Sequence, residues 1–383
     1  EFFAKRGVVV EPSNQDILTR IAKIYEGHPL VLKVIAEDIL QEFAGDVSRY
    51  WQVYQPEFEQ VARELQPTRL DETEYNEALD CKVRERIKKS LEKLPADALD
   101  LLCRSAVFRR PVPKKFWLAM IDDRTSQQKK VAYRVLDDRA LIEKEGIDIR
   151  QHNLICSVAY DLLTANLTTW ETAERQAAHL WLTAYEPARH APNLETVRGY
   201  LEAFDHYCEV SDWNAASCLF KMSLSPPEKS ELYWKLDIWG YYLEEIQLCN
   251  RVLGKLSADF DLICWTGLSN AYFGLSNYLK SLEADKKCLA IALEIGDRAA
   301  EGSALGNLGI NYRNLGDYKQ AIDYYQQSLK LSRDAEDKRV EGNAWCNLGW
   351  AYHNLGDYQR ALDCYYQHLS LARSIGDRRG EGI

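Results

Sequence analysis

A 40-residue internal repeat is the feature that most restricts what this chain can fold into. Residues 302–341 align without gaps on residues 342–381, and the same frame extends back over residues 266–301. Within a unit, apolar residues recur at helical spacing on both sides of the pair Gly316-Asp317. Glycine suits the left-handed position that ends a helix, and aspartate suits the cap of the next one. Each unit is therefore predicted to be a helix, a tight turn and a second helix.

The apolar positions of a unit also predict how the units pack. Ala321, Tyr325 and Leu329 lie four residues apart and form one stripe on the second helix. The small Gly309 on the first helix lets its partner approach closely. A two-helix unit cannot cover such a stripe by itself, so neighbouring units must stack on it. The sequence thus predicts an α-solenoid with a concave wall.

The repeated motif is similar to a known one. The pattern N-L-G-x-x-Y-x-x-L-G-D-Y, followed by A-x-x-x-Y, resembles the tetratricopeptide repeat in the 40-residue form of kinesin light chains and related polarity adaptors. We assign residues 259–383 to such repeats. Because no polar cap helix closes the array, we expect it to be truncated and to continue past Ile383. Residues 166–258 carry weaker versions of the same turn and are predicted to be degenerate helical hairpins.

The first part of the chain is predicted to be a small helical subdomain over residues 1–66. It contains an amphipathic segment and then a second helix with Pro29 at the favoured first position. The polar residues 67–80 are interpreted as a linker.

Residues 81–165 show a different pattern, which is typical of a winged helix. Three helical segments are followed by a hairpin in which Ile147 and Ile149 alternate, and a last helix follows. The predicted fold class is therefore all-α apart from this small hairpin: a helical bundle, a winged helix and an α-solenoid.

The order of these units resembles a family of molecular switches. A bundle opened by Gly27-His28-Pro29-Leu30, a winged helix whose last helix follows Gln151-His152-Asn153, and tetratricopeptide repeats together resemble the NB-ARC class of STAND signalling ATPases of bacteria and cyanobacteria. The resemblance implies that Pro29 packs on an adenine ring and that His152 reaches the phosphate of ADP. The family's Met-His-Asp motif keeps only its histidine here. From the residues alone, Pro29 marks a helix start and His152 belongs to a capping segment.

The chain lacks the residues that would hold a nucleotide tightly. Its only Gly-Lys pair, Gly254-Lys255, is followed by Leu256, so the motif G-x-x-x-x-G-K-[ST] is absent. We therefore expect no catalytic residue, cofactor or metal in this fragment. The resemblance implies a longer protein, a candidate ATPase, with a P-loop domain before Glu1 that binds ADP or ATP.

The phase of the apolar stripe predicts a ligand groove along the first helix of each unit. The predicted groove side chains are Asn270, Phe273, Asn307, Ile310, Arg313, Asn314, Asn347, Trp350, His353 and Asn354. In the resembling kinesin-light-chain type, asparagines at the places of Asn307, Asn314, Asn347 and Asn354 bind the backbone of an extended peptide. An amide donates and accepts hydrogen bonds at once, which suits peptide groups of any sequence. The alternative is that these asparagines cap helix ends or face water.

The predicted function is that of a regulatory sensor. The repeats are expected to bind a protein or peptide, and the winged helix to relay that event to a nucleotide-binding domain outside the chain. The resemblance also allows a homo-oligomer of the full-length protein. A passive scaffold that uses the repeats alone is a further alternative.

Charge and cysteine content bear on the remaining function classes. Acidic residues outnumber basic ones 58 to 48, for a net charge of -10, which argues against a chain-wide nucleic-acid or anionic-membrane surface. No stretch suits a membrane helix. Ten cysteines without a CxxC pair predict reduced core thiols in a cytoplasmic protein.

A transcriptional regulator whose winged helix binds DNA is the alternative function. Residues 82–150 hold 18 Lys and Arg against 11 Asp and Glu. Lys129, Lys130 and Arg134 lie on the helix that would enter a major groove. Asp137 and Asp138 end the same helix and oppose this interpretation.

Overall fold

The computed structural model describes residues 1–65, 71–225 and 228–378. About 75% of it is helical, with few strands, which confirms the predicted fold class. The chain divides into two compact units, Glu1–Ala184 and Tyr185–Ile383. We call them unit 1 and unit 2.

Unit 1 contains ten helices and three short strands among its described residues. The helices are α1 (Phe2–Lys5), α2 (Gln15–Ile24), α3 (Pro29–Phe43), α4 (Val47–Glu64), α5 (Glu72–Leu91), α6 (Ala96–Ser105), α7 (Lys114–Ala119), α8 (Ser126–Asp138), α9 (Asn153–Thr164) and α10 (Leu167–Thr183), and the strands are β1 (Val112–Pro113), β2 (Ile142–Glu145) and β3 (Asp148–Gln151).

The N-terminal bundle is joined to α5 by a buried ion pair. Nη2 of Arg86 donates to Oδ2 of Asp38 on α3 at 2.6 Å and to the hydroxyl of Tyr50 on α4 at 2.6 Å. The Ser90 hydroxyl donates to the other Asp38 oxygen at 2.6 Å. Arg86 and Asp38 are both fully buried, so α5 is part of the core of unit 1.

This packing corrects the predicted linker over residues 67–80. Residues 67–70 lie outside the described residues, but residues 72–80 are the first half of α5. Asp71 and Glu74 form a reciprocal capping box that starts the helix. The polar face of the helix is exposed, so the composition resembles that of a linker although the backbone is helical.

The hairpin that follows α8 belongs to a three-stranded sheet of order β1-β3-β2, with antiparallel neighbours. Ile149 on β3 lies opposite Val112 on β1, and both are buried. Ile147, predicted to alternate with Ile149, lies instead in the turn and is exposed. The turn between β2 and β3 is only two residues long, so Ile147 has no strand partner.

Unit 2 contains eleven helices and one strand pair among its described residues. The elements are α11 (Asn193–Thr196), α12 (Arg198–Glu209), α13 (Trp213–Phe220), β4 (Ser223–Ser225), β5 (Glu228–Glu231), α14 (Leu232–Trp239), α15 (Tyr242–Val252), α16 (Ala258–Gly274), α17 (Tyr278–Ile295), α18 (Arg298–Asn314), α19 (Tyr318–Asp334), α20 (Lys338–Asn354) and α21 (Tyr358–Ile375).

The region of predicted degenerate hairpins, residues 166–258, differs from the prediction in two ways. Its first helix, α10, belongs to unit 1, where the Trp181 ring packs edge-on against Phe116 with centroids 5.4 Å apart. The paired strands β4 and β5 interrupt the helices that follow. Residues 166–258 are therefore mostly helical, but they do not form a uniform series of helical hairpins.

The repeats fold as three helix pairs, α16/α17, α18/α19 and α20/α21. Gly316 adopts a φ of +83° at the end of α18, and the Asp317 carboxylate accepts from the N–H of Gln320 to start α19. Tyr325 is fully buried in an apolar cluster, against which Tyr312 and Tyr352 are packed half-buried. Both turn residues and the stripe confirm the predicted helix-turn-helix unit. Residues 379–383, the last of the predicted repeats, lie outside the described residues.

Within the described ranges, no helix combines the length and the apolar character needed to cross a bilayer.

Candidate functional site

The first helices of the three repeats, α16, α18 and α20, present equivalent side chains at intervals of 40 residues. We call the ten predicted groove residues on these helices the groove face. Asn270, Ile310 and Trp350 are equivalent to one another. Phe273 and Trp350 are 39% and 50% exposed although both are large and apolar. The first and third repeats therefore each place an accessible large apolar side chain on the groove face.

Arg313 and Trp350 connect the second and third repeats on the groove face. The Arg313 guanidinium carbon lies 5.3 Å from the centre of the Trp350 ring. This distance suits a cation–π contact. His353, equivalent to Arg313 and Phe273, packs its ring edge-on against Tyr358, with centroids 5.4 Å apart. The contacts hold these side chains at the surface rather than in the core.

The four asparagines predicted to bind a peptide backbone fall into two groups. Nδ2 of Asn314 and of Asn354 each donate to a carbonyl one turn back in the same helix, at 2.8 Å in both cases. Both side chains are exposed, and their oxygens remain as acceptors. Asn307 and Asn347 lie further from the helix ends and are half-buried. The first group thus shows the capping geometry, and the second does not; Asn307 instead hydrogen bonds to Asp285.

A cavity of about 190 Å³ opens between the first two repeats, and we call it the junction cavity. Asn270 and Phe273 from α16 and Asn307 and Ile310 from α18 line it. It therefore brings together four of the ten predicted groove residues. Its remaining lining residues are Ser269, Ser281 and Asn311.

Three residues that line the junction cavity, Ser269, Ser281 and Asn311, form a buried hydrogen-bonded network with Asp285, which is not itself among the lining residues. We call these four residues the polar junction. Ser269 Oγ donates to Asp285 Oδ1 at 2.5 Å and lies 3.1 Å from Ser281 Oγ. Asn311 Nδ2 donates to Asp285 Oδ2 at 2.7 Å and to Ser281 Oγ at 2.9 Å. Asn311 Oδ1 is buried and has no hydrogen-bond partner among the described residues.

Burial controls the charge of Asp285. Desolvation raises the pKa of its carboxyl group to about 6, against hydrogen bonds from Ser269, Asn311 and Asn307 that lower the pKa. No basic side chain of the described ranges forms an ion pair with it. At neutral pH the polar junction therefore carries a largely uncompensated negative charge.

Sequence reasoning missed the polar junction, although the repeat contained the signal. The equivalent residues at the next junction are Gly309, Ala321, Tyr325 and Ala351, which we call the apolar junction. A comparison between repeats shows four small or apolar positions replaced by polar residues at once. Each replacement alone resembles an ordinary polar residue on a helix surface.

The two residues predicted to contact ADP lie at helix starts in unit 1. Pro29 is the exposed first residue of α3. His152 caps α9, because its Nδ1 accepts from the N–H of Leu154 at 3.3 Å, which leaves Nε2 as the ring atom for any anion. The preceding Gln151 is buried and donates to the carbonyl of Leu102 at 2.7 Å. The sequence contains no G-x-x-x-x-G-K-[ST] motif, so the role of Pro29 and His152 toward a nucleotide stays a prediction.

The helix predicted to meet DNA is α8. Lys130 and Arg134 are exposed and Lys129 is half-buried. Nε of Arg134 lies 3.4 Å from Asp138 on the same helix. The adjacent acid therefore offsets part of the positive charge that a major groove would require.

Comparison with known proteins supports the assignment of tetratricopeptide repeats. The tetratricopeptide repeat family matches residues 261–334 and 312–374. No curated protein matches the chain significantly.

Several solved structures are similar at low identity. A STAND protein (signal transduction ATPase with numerous domains) with a tetratricopeptide repeat sensor, from Pyrococcus horikoshii, is 17% identical, with a TM-score of 0.34. The match covers 94% of this chain and 57% of that protein, so the chain spans little more than half its length. Aspartyl phosphate phosphatase F from Bacillus subtilis is 11% identical over 78% of this chain and 70% of its own, with a TM-score of 0.41. A Rap protein in complex with competence and sporulation factor is 13% identical over 87% and 79%, with a TM-score of 0.38. The family match establishes that residues 261–374 form an array of tetratricopeptide repeats.

Proposed function

We propose that the repeat array binds an extended segment of another polypeptide along the groove face. The observation that carries this proposal is the exposure of Phe273 on the first helix of the first repeat and of Trp350 on the first helix of the third. Phe273 lines the junction cavity together with Ile310, and Trp350 lies against Arg313 of the preceding repeat, so both ring systems are accessible next to a junction between repeats. Asn307 and Asn347 lie 40 residues apart on the same helices and can hydrogen bond to a peptide backbone.

A random-peptide display selection on the full chain tests this proposal. Peptides selected on the wild-type protein are expected to bind Trp350→Ala about tenfold or more weakly, because a tryptophan in an interface commonly supplies over 1 kcal/mol. Combined substitution of Asn307 and Asn347 by alanine is expected to weaken the same peptides. Tyr366→Ala is the matched control, since it removes a ring that is 67% exposed on the second helix α21.

Two results would contradict the proposal that the groove face binds a peptide. The first is a selection that enriches no peptide on the wild-type chain above the background of an uncoated support. The second is a set of selected peptides that bind Trp350→Ala and Tyr366→Ala equally well.

We further propose that unit 1 relays ligand binding to an ADP- or ATP-binding domain elsewhere in a longer polypeptide. The order of the units supports it, as do three helices with a β1-β3-β2 sheet, which suit a winged helix. The buried Asp38–Arg86 pair supports a rigid connection between the bundle and α5.

The relay is testable in the longer polypeptide through ADP retention. His152→Ala is expected to speed release of a fluorescent ADP analogue, because the imidazole that can face a phosphate is removed. His179→Ala, which changes an exposed histidine on α10, serves as the control. Equal release rates for both variants would contradict the role of His152. The DNA-binding alternative has less support, since Arg134 is paired with Asp138.

A further inference from the structure

The polar junction replaces a packing arrangement that the chain uses one repeat later. At the apolar junction, Tyr325 lies against Gly309 inside an apolar cluster that includes Ala321 and Ala351. Asp285 stands where that tyrosine would be. The junction cavity lies next to the polar junction, because Ser269, Ser281 and Asn311 of that network line it.

The hydrogen-bond donors of the polar junction are bonded to one another's acceptors, and one acceptor is left without a partner. Both N–H bonds of Asn311 and the hydroxyl of Ser269 are directed at neighbours within the polar junction. A carboxylate only accepts, so the Asn311 nitrogen must face Asp285 and its oxygen must face away. That oxygen is unpartnered in a side chain only 1% exposed. The group that complements this network is a hydrogen-bond donor.

The buried negative charge of Asp285 further restricts the chemical class of the ligand. Asp285 is 1% exposed and lacks a basic partner among the described residues. A buried carboxylate is expensive unless it is paired, so a ligand that brings a positive charge gains more than a neutral donor. Phe273 and Ile310 on the cavity wall provide apolar surface for an alkyl stem.

We infer that the junction cavity receives the cationic end of a lysine or arginine side chain from the polypeptide bound along the groove face. This inference rests on the proposed peptide-binding function and specifies the chemistry of its partner. An ammonium group carries three donors and no acceptor, which matches the acceptors of the polar junction. Asn270 and Asn307 at the rim can bind the adjacent backbone.

Because Asp285 can ionise, we expect cation binding in the junction cavity to depend on pH. Ser269, Asn307 and Asn311, which face it from α16 and α18, do not titrate, and burial raises the pKa of Cys288 on its own helix to about 12. With the pKa of Asp285 near 6, the carboxylate is mostly charged at pH 7 and mostly neutral at pH 5. Binding of a cation should therefore weaken as the pH falls through this range.

The first test uses n-butylammonium chloride as the probe and 1-butanol as its neutral counterpart. In the full chain, NMR signals of the side-chain amides of Asn270, Asn307 and Asn311 are expected to shift saturably with n-butylammonium and not with 1-butanol. Asp285→Asn should weaken the response about tenfold or more, since the negative charge next to the cavity is lost. Asp323→Asn, at an exposed acid on α19, should leave it unchanged. Equal responses to both probes, or an unchanged response in Asp285→Asn, would overturn the inference.

A second variant keeps the test valid if Asp285→Asn fails to fold. Combining Ser269→Gly, Ser281→Ala, Asp285→Tyr and Asn311→Ala gives the first junction the residues of the apolar junction. This variant should fold, because the same four residues pack together one repeat later. It should no longer respond to n-butylammonium.

Peptide selection separates this inference from the proposed function. Peptides selected on the wild-type chain should share a Lys or Arg that is no longer enriched on the four-residue variant. If selected peptides depend on Trp350 but share no basic residue, the groove stands and the cavity inference is overturned. If n-butylammonium binds but no peptide does, the polypeptide occupant is wrong and the proposed function fails with it.

Discussion

Glu245 is a carboxylic acid in the core of unit 2 whose two carboxyl oxygens have no hydrogen-bond partner in the described part of the chain. It lies on α15, and one of its oxygens is near Gly267 of α16. Burial raises the pKa of Glu245 to about 9, and the charge of Asp237 adds to the increase. The side chain is therefore protonated at neutral pH, because a buried unpaired carboxylate would be much more costly.

Glu245→Gln should change how the stability of unit 2 depends on pH. The folded wild-type chain holds a proton that the unfolded chain releases near the ordinary glutamate value, so its free energy of unfolding falls as pH rises from about 5 to about 9. The slope from one such group approaches about 1.4 kcal/mol per pH unit. The amide cannot ionise, so the variant should lack this part of the slope. Urea unfolding at several pH values measures it.

The neighbouring residue supplies the control for this prediction. Glu244 is half-buried beside Glu245 on α15. Glu244→Gln should keep the wild-type slope. Parallel pH profiles for wild type and Glu245→Gln would show that Glu245 is already ionised or exposed to water.

The sequence predicted the roles of some single residues and missed those of others. Gly316 and Asp317 were predicted correctly, because a left-handed turn and a helix cap depend on local chemistry. Asp285 and Asn311 were not, because they meet only after α17 and α18 pack together. A polar residue on a helix gives no local sign of whether it faces water or a buried partner.

At the scale of elements, the close approach of a glycine and a tyrosine sets the distance between paired helices. A Cβ atom added to Gly309 would overlap the Tyr325 ring, and one added to Gly349 would lie 2.5 Å from Cε1 of Tyr365. Gly306, on the same helix as Gly309, has no such contact, since its nearest neighbour would be Ser328 Oγ at 3.9 Å. The glycine position is therefore a packing requirement at one residue and not at the other.

The boundaries of elements show where pattern and structure diverge. The repeat helices were predictable because each apolar stripe recurs every 40 residues. The start of α5 was not recognised, although Asp71 and Glu74 form a capping box. The buried apolar residues of this helix, Val83, Ile87 and Leu91, all lie in its second half. Because residues 72–80 bury no side chain fully, periodicity of apolar residues cannot reveal the first half of the helix.

At the scale of the whole molecule, each unit contains its own buried core. In unit 1 the Asp38–Arg86 pair is fully buried and links three helices. In unit 2 the Gly309–Tyr325 contact recurs with the repeat. Compact units with separate cores can unfold as separate cooperative steps.

Substitutions in the two cores should therefore affect different unfolding steps. Arg86→Ala removes the nearest ion-pair partner of the buried Asp38 and leaves only Lys93, whose Nζ lies 3.7 Å from Oδ2, so it is expected to destabilise unit 1 by about 3 kcal/mol. Gly309→Ala forces the Tyr325 ring to move and should destabilise unit 2 by about 1 to 3 kcal/mol. Gly306→Ala is the matched control. It should stabilise unit 2 by up to about 1 kcal/mol, because alanine favours a helix. Hydrogen exchange read peptide by peptide in the full chain, over a series of urea concentrations, assigns each loss to a unit. If Arg86→Ala accelerated exchange in the repeats as much as in the bundle, the two units would be unfolding as one, and the ion pair would be stabilising the whole chain rather than the unit that contains it.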